Sequence, residues 1–169
     1  MKLRTIICAA TAIACLTGVA NADAIGLRLG GGSLLGAEVN YQRNMGAKNR
    51  LEIGATFESE STGPSGAKVS WTYLGAVGIY QWKWNIAGIN GFNWYAGPGA
   101  AVSFGMWSSN ILGHKDSGSD IYVNVGGQVG IEYDFSFPLL LSLDVRPMFG
   151  VLHDAGFGWG AGLGVRYTF

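Results

Sequence analysis

The stretch FGWGAGLGVRYTF, residues 157–169 at the end of the chain, alternates with a strict period of two. One face of a β-strand would carry Phe157, Trp159, Ala161, Leu163, Val165, Tyr167 and Phe169, and the other four glycines with Arg166 and Thr168. In a soluble sheet the large side chains face a core and the polar ones face water. A row of glycine with one arginine instead suits a narrow lumen, and the bulky row suits lipid. The stretch therefore predicts a strand of a transmembrane β-barrel.

Residues 1–22 have the pattern of a cleaved signal peptide. Lys2 and Arg4 precede a short apolar run, and Ala20-Asn21-Ala22 fits the small-x-small cleavage rule. The apolar run is shorter than the roughly 20 residues that a membrane-spanning helix needs. Residues 23–169 are therefore predicted to be the mature domain.

The composition of the predicted mature chain excludes several function classes. Loss of Lys2 and Arg4 leaves nine basic and eleven acidic residues, a net charge of −2, which does not favour nucleic acid as a partner. Both cysteines, Cys8 and Cys15, lie in the signal segment, so the mature chain has no thiol for disulfide or redox chemistry. A lipid anchor at Cys15 is the alternative, but the residues before it fit that signal less well than the cleavage site fits its own.

Seven segments upstream alternate in the same way, which predicts an all-β fold, an eight-stranded antiparallel up-and-down transmembrane β-barrel. The eight predicted strands are residues 25–31, 35–43, 51–58, 68–82, 93–106, 121–135, 139–151 and 157–169. An even strand number places both termini on the periplasmic side. The two longest connections, residues 59–66 and 107–118, then become outer loops that would meet any extracellular ligand.

Two strands carry more specific expectations. In the fourth strand the outward set is predicted to be Val69, Trp71, Tyr73, Val77 and Ile79. In the fifth strand Pro98 removes a ladder donor, which predicts a local bulge.

The charged residues of the strands are predicted to face the lumen. A charged side chain facing lipid near the midplane costs about 2–4 kcal/mol, so the opposite orientation is not tolerated. An eight-stranded lumen is just wide enough for side chains, and buried charges must pair. The predicted network consists of Arg28, Glu38, Glu52, Glu132, Asp144, Arg146 and Arg166. A structural, lumen-filling network is the favoured interpretation, and a proton or ion pathway is the alternative.

A family resemblance follows from the signal peptide, the eight alternating strands and the terminal VRYTF of residues 165–169. Together they resemble the small outer-membrane barrels of the OmpA/OmpX type. The terminal aromatic strand resembles the signal read by the outer-membrane assembly machinery, with Tyr167 and Phe169 in the matching positions. The segments NWYAGPG (residues 93–99) and DVRPM (residues 144–148) are also similar to uncharacterised outer-membrane proteins of Bacteroidetes-like bacteria.

The resemblance implies a Gram-negative outer-membrane location and contact with outer-membrane lipid and lipopolysaccharide. It does not imply one activity, because this fold hosts structural, adhesive and enzymatic members.

The sharpest catalytic candidates are His114, Asp116 and Ser117 on the predicted third outer loop. They are the residue types of a Ser-His-Asp hydrolase or acyltransferase, and they resemble in type the outer-loop residues of barrels that modify lipid A. Neighbours in sequence rarely converge on one point, so a solvated loop is the expectation. His153 faintly resembles the His-x-Ser region of lipid A deacylase barrels, but Ala155 stands where the serine would be.

No cofactor and no metal site are predicted, because Glu58 with Glu60, and Asp116 with Asp120, match no complete calcium loop. The sequence therefore predicts a monomeric, non-enzymatic outer-membrane barrel with a structural or surface-interaction role. A lipid A-modifying enzyme and a narrow ion channel are the alternatives.

Overall fold

The computed structural model describes residues 23–32, 36–62, 67–111, 114–152 and 155–169, which form eight antiparallel strands closed into one barrel. In chain order the strands are β1 (Ala24–Gly32), β2 (Gly36–Asn44), β3 (Asn49–Thr62), β4 (Ala67–Asn85), β5 (Phe92–Ile111), β6 (His114–Asp134), β7 (Leu140–Leu152) and β8 (Phe157–Thr168). Each strand pairs with its neighbours in sequence, and the predicted fold class is confirmed. The predicted signal segment, residues 1–22, lies outside the described residues.

The barrel closes where the last strand meets the first. All of β1 pairs with β8, from Ala24 opposite Thr168 to Gly32 opposite Gly160. Beyond the ladder, the amides of Asp23 and Phe169 each donate to the other residue's carbonyl at 2.9 Å. We call this end, with both termini and the turns at residues 45–48, 86–91 and 135–139, the terminal end, and the opposite end the distal end.

The outer surface of the barrel is apolar. Leu163 on β8, Leu143 on β7 and Val129 on β6 are 52%, 53% and 49% exposed. These strands, with β5, have the outward faces that the alternation predicts, because an inner-row polar residue of each strand is at most 5% exposed: Asn93 on β5, Gln128 on β6, Asp144 on β7 and Arg166 on β8. Within the described part of the chain, no helix is long and apolar enough to cross a membrane.

Strand β4 corrects one prediction. Val77 and Ile79, predicted to point outward, are 6% and 0% exposed, whereas Leu74 is 56% exposed. The other three residues of the predicted outward set have the same parity and so belong to the same inner face: Val69, Trp71 and Tyr73. The β3–β4 ladder places Ile79 directly opposite Glu52, and directly opposed residues share one face of a sheet. Both faces of β4 are largely apolar, so its alternation alone does not distinguish lumen from exterior.

The predicted bulge at Pro98 is also wrong. The β4–β5 ladder skips the pairs opposite Pro98 and Gly97, but its register is the same on either side of the gap. Pro98 keeps its place opposite Gly127 in the ladder with β6. A register shift occurs instead between Val123 and Asn124, where β6 pairs with β7. One missing donor therefore interrupts the ladder without inserting an extra residue.

The predicted outer loops are largely strand. Residues 59–62 belong to β3, and most of residues 107–118 continue β5 and β6, which stay paired as far as Ile111 opposite His114. This serine- and glycine-rich segment can form strands because the pairing of β5 with β6 satisfies its backbone N–H and C=O groups. β4, β5 and β6 therefore have 19, 20 and 21 residues, against 9 in β1 and 9 in β2.

Candidate functional site

The lumen contains a network of arginine and carboxylate side chains at its centre. The first pair, Arg28 on β1 and Asp144 on β7, is buried, since each residue is 2% exposed. The Arg28 Nη2 lies 2.6 Å from Asp144 Oδ1, and Nε donates to both carboxylate oxygens at 3.0 and 3.2 Å. The Tyr95 hydroxyl donates to the same carboxylate at 3.4 Å. This forked geometry is the strongest arrangement available to an arginine–carboxylate pair.

A second cluster connects β2, β3, β7 and β8. Arg146 Nη1 donates to Glu38 Oε2 at 2.6 Å, and its Nη2 donates to Glu52 Oε1 at 2.5 Å. Arg166 Nη2 reaches the other Glu52 oxygen at 3.1 Å. Glu52 therefore links two arginines that lie on different strands, while its own side chain is fully buried.

The remaining donors of Arg166 are satisfied by neutral partners. Its Nε donates to Asn40 Oδ1 at 2.8 Å and its Nη1 to Ser142 Oγ at 2.6 Å. Every nitrogen of this guanidinium is thus held, which fixes the side chain across the lumen.

Arg50 is a network member that sequence reasoning missed. Its Nη1 lies 2.6 Å from Glu132 Oε2, its Nε donates to Gln81, and its guanidinium carbon lies 4.6 Å from the centre of the Tyr95 ring. Lys83 approaches the same glutamate at 3.7 Å. The predicted third strand begins at residue 51, which leaves Arg50 just outside it. Its shared parity with Glu52 was the signal that could have placed it in the lumen.

Glycines on the inner wall make room for the guanidinium groups. A Cβ added to Gly162 would lie 2.5 Å from Arg28 Nε, and one added to Gly164 would lie 2.6 Å from Arg166 Nη1. On β3, a Cβ at Gly54 would lie 2.6 Å from the Glu38 carboxyl carbon. The glycine row of β8, from which the sequence predicts a narrow lumen, therefore packs directly against the charged network.

Two cavities lie on either side of this network. The larger, about 610 Å³, extends toward the distal end, and we call it the distal cavity. The smaller, about 300 Å³, lies at the terminal end beside Lys48, Arg50 and Lys83. The paired charges between the two cavities fill the lumen, and we call them the polar plug. Each arginine of the plug is bound to a carboxylate and does not line an open channel between the cavities.

Of the three catalytic candidates, the structure describes the side chains of Asp116 and Ser117 only. His114, Asp116 and Ser117 all lie in β6 rather than in a loop. Asp116 and Ser117 are exposed neighbours, and successive side chains of a strand point to opposite faces. The Ser117 amide donates to Asp116 Oδ1 at 2.9 Å, which is a contact between neighbours in the chain. His153 and Asp154 lie outside the described residues.

Two further predictions concern the last residues of the chain and metal binding. Tyr167 and Phe169 are exposed on the outer surface, with stacked rings 6.3 Å apart at the terminal end. Across the described ranges, no group of three or more His, Cys, Asp or Glu side chains is arranged to hold a metal ion.

No protein-family model matches the chain, and no curated protein matches it. Solved structures do. The N-terminal β-barrel domain of Pseudomonas aeruginosa OprF aligns over 88% of this chain and 98% of its own, at 15% identity and a TM-score of 0.51. Neisserial surface protein A aligns over 88% and 94%, at 19% identity and a TM-score of 0.53.

A third similar structure is Ail, the attachment invasion locus protein of Yersinia pestis, in complex with the heparin analogue sucrose octasulfate. It aligns over 88% of this chain and 97% of its own, at 13% identity and a TM-score of 0.58. At such low identities these likenesses concern the fold. The chain has the fold of the small eight-stranded outer-membrane barrels.

Proposed function

We propose that the chain is a monomeric integral protein of the bacterial outer membrane with a structural or surface-interaction role. Export would use residues 1–22 as a cleaved signal peptide. Insertion by the outer-membrane assembly machinery would use the terminal strand with Tyr167 and Phe169. The observation that carries the proposal is the reversed polarity of the barrel, which has charged pairs inside and large apolar side chains outside.

The outer surface has the features of a lipid-facing wall. Monomeric soluble proteins seldom expose apolar patches of more than a few hundred Å², whereas here β1 and each of the strands β3 to β8 expose large apolar side chains. Aromatic pairs also occur at both ends. Trp84 and Trp94 stack at 4.2 Å at the terminal end, and Phe149 contacts Phe157 at 5.0 Å toward the distal end. Such girdles mark the two interfaces of membrane barrels.

The long strands support the surface-interaction role. A transmembrane β-strand needs about 9–11 residues, and β5 and β6 have 20 and 21. About half of this hairpin would therefore stand above the membrane, presenting the paired residues Ser108, Ser109, Asp116 and Ser117. We propose that this projection contacts lipopolysaccharide or an extracellular ligand. The Ail structure holds a heparin analogue, which is a property of that protein and gives this proposal a precedent in the fold only.

Two observations weigh against the alternatives. A lipid A-modifying enzyme needs convergent catalytic groups, and Asp116 and Ser117 lie on opposite faces of β6. A channel needs a conducting path, and the central arginines are bound to carboxylates across the lumen. His114→Ala is expected to leave lipid A unchanged by mass spectrometry. Planar bilayer recordings are expected to show no discrete conductance, and a sustained one would support the channel instead.

The deciding experiment is gel migration of the detergent-refolded chain with and without heating. A mobility shift on heating, β-sheet circular dichroism and flotation with phospholipid vesicles are expected. A chain that stays soluble without detergent and shows no shift would overturn the membrane assignment.

The surface role is tested separately by replacing residues 108–117 with Asn-Gly, which removes both sides of the same ladder rungs and preserves the register below them. The shortened barrel is expected to keep its heat-dependent shift and to lose binding to vesicles that contain lipopolysaccharide. Equal binding by both barrels would contradict the role of the projection while leaving the membrane assignment intact.

A further inference from the structure

The distal cavity combines an apolar floor with an aromatic wall. Val77 and Met148 line its floor, and both are almost fully buried. Trp71, Tyr73 and Tyr122 line its side. At about 610 Å³, it lies within the volume range of small-molecule sites.

The aromatic wall depends on a glycine. The Tyr73 and Tyr122 rings lie 6.3 Å apart, inclined by 57°, on strands that flank β5. Between them, a Cβ added to Gly105 would lie 2.9 Å from Tyr73 Cε1 and 3.0 Å from Tyr122 Cε2. The absence of a side chain at Gly105 therefore lets two ring surfaces approach each other over β5.

The charge of the cavity comes from one carboxylate. Among the described residues, four charged side chains line it, and three of them belong to the central network: Arg28 is bound to Asp144, and Arg146 to Glu38. The fourth, Glu58, lies directly opposite Tyr73 in the β3–β4 ladder and makes no ion pair with any described residue. In the described part of its lining, the cavity is thus electrically balanced where it meets the central network and negative beside its aromatic wall.

Aromatic ring faces carry negative charge density and attract cations, most effectively where water is excluded. A carboxylate beside such rings strengthens the attraction and opposes an anion. The apolar floor suits a hydrocarbon group rather than a hydrated metal ion. We propose that the distal cavity is a binding site for a small organic cation, an alkylated ammonium whose charge lies between Glu58 and the rings of Trp71, Tyr73 and Tyr122.

The plug below the cavity determines what the site can do. Arg146 lies between the cavity and Glu52, which is itself fully buried. A ligand that enters from the distal end would therefore stop at the ion pairs, so the site captures a cation rather than conducting it.

The test compares choline with 3,3-dimethylbutan-1-ol, an uncharged analogue of the same shape, by isothermal titration of the refolded full barrel in a non-ionic detergent. Choline is expected to bind saturably at one site, and the alcohol at least tenfold more weakly. Glu58→Gln is expected to weaken choline binding about threefold or more. Tyr73→Leu is expected to weaken it about two- to thirtyfold, the range that one cation–π contact supplies.

Asp116→Asn is the matched control, because it removes an exposed carboxylate of the distal hairpin that does not line the cavity. It is expected to leave choline binding unchanged. Heat-dependent gel migration reports whether each variant is folded, and Glu58→Gln carries the test if Tyr73→Leu does not fold. The proposal is overturned if choline does not bind saturably at millimolar concentration, if the alcohol binds equally well, or if Asp116→Asn and Glu58→Gln weaken binding to the same degree.

Discussion

Arg166 on the last strand and Glu52 on the third strand meet across the lumen at 3.1 Å, although 114 positions separate them in the chain. This contact forms only when β8 has closed against β1, because the lumen into which both side chains point does not exist in an open sheet. The ion pair is therefore a direct indicator of barrel closure, and it makes the central network the first target for mutation.

Arg166→Leu is expected to destabilise the barrel by about 3–5 kcal/mol, because the buried Glu52 carboxylate loses one of its two arginine partners. Asn40 and Ser142 lose their donors in the same step. Urea unfolding in phospholipid vesicles, followed by heat-dependent gel migration, measures the change. Arg43→Leu is the control, because Arg43 is exposed at the terminal end of β2. Equal stability of the two variants would argue against a structural network.

Arg28 and Asp144 are expected to be strongly coupled. Asp144→Leu alone leaves the Arg28 guanidinium buried without its anion, whereas Arg28→Met with Asp144→Leu removes both charges. Replacing a buried ion pair by apolar residues of similar volume is often nearly neutral, and breaking it costs about 3–5 kcal/mol. The double variant is therefore expected to be more stable than Asp144→Leu in the same unfolding assay. Additive losses would show that the pair makes no specific contribution.

Gly162→Ala is expected to destabilise the barrel by about 1–3 kcal/mol through overpacking. The added Cβ would lie 2.5 Å from Arg28 Nε, and three hydrogen bonds to Asp144 prevent that guanidinium from moving away without loss. Gly78→Ala is the matched strand control, because a Cβ there meets no atom within 4 Å. The free energy of unfolding measures both, and similar values would contradict close packing against the glycine row.

Leu163→Arg tests which face meets lipid. Leu163 is 52% exposed near the middle of β8, and an arginine facing the bilayer midplane costs about 2–4 kcal/mol. Met45→Arg, in an exposed turn of the terminal end, is expected to be nearly neutral. Folding into vesicles from urea measures the difference. A tolerated Leu163→Arg would mean that the outer face of β8 does not lie in hydrocarbon.

Sequence reasoning predicted the strands in which the alternation of apolar with polar or glycine residues distinguishes the two faces. In β8 and β7 an apolar row alternates with a polar or glycine row, so their faces follow from the sequence alone. β4 differs because Val77 and Ile79 alternate with residues that are also apolar or small, and only its register with β3 assigns the lumen. The ends of β5 and β6 were missed because a serine- and glycine-rich segment has the composition of a loop until a partner strand satisfies its backbone.

By itself, the sequence determined the strand number, the closed antiparallel class and the burial of seven charged residues. A period of two is a local property, and the cost of charge in lipid permits one orientation. Only the tertiary structure decided which charges meet, that Arg50 joins Glu132, and that an aromatic cavity with Glu58 lies above the plug. Those contacts depend on the stagger between strands far apart in the chain, which is set when the barrel closes and leaves no trace in the periodicity of any single strand.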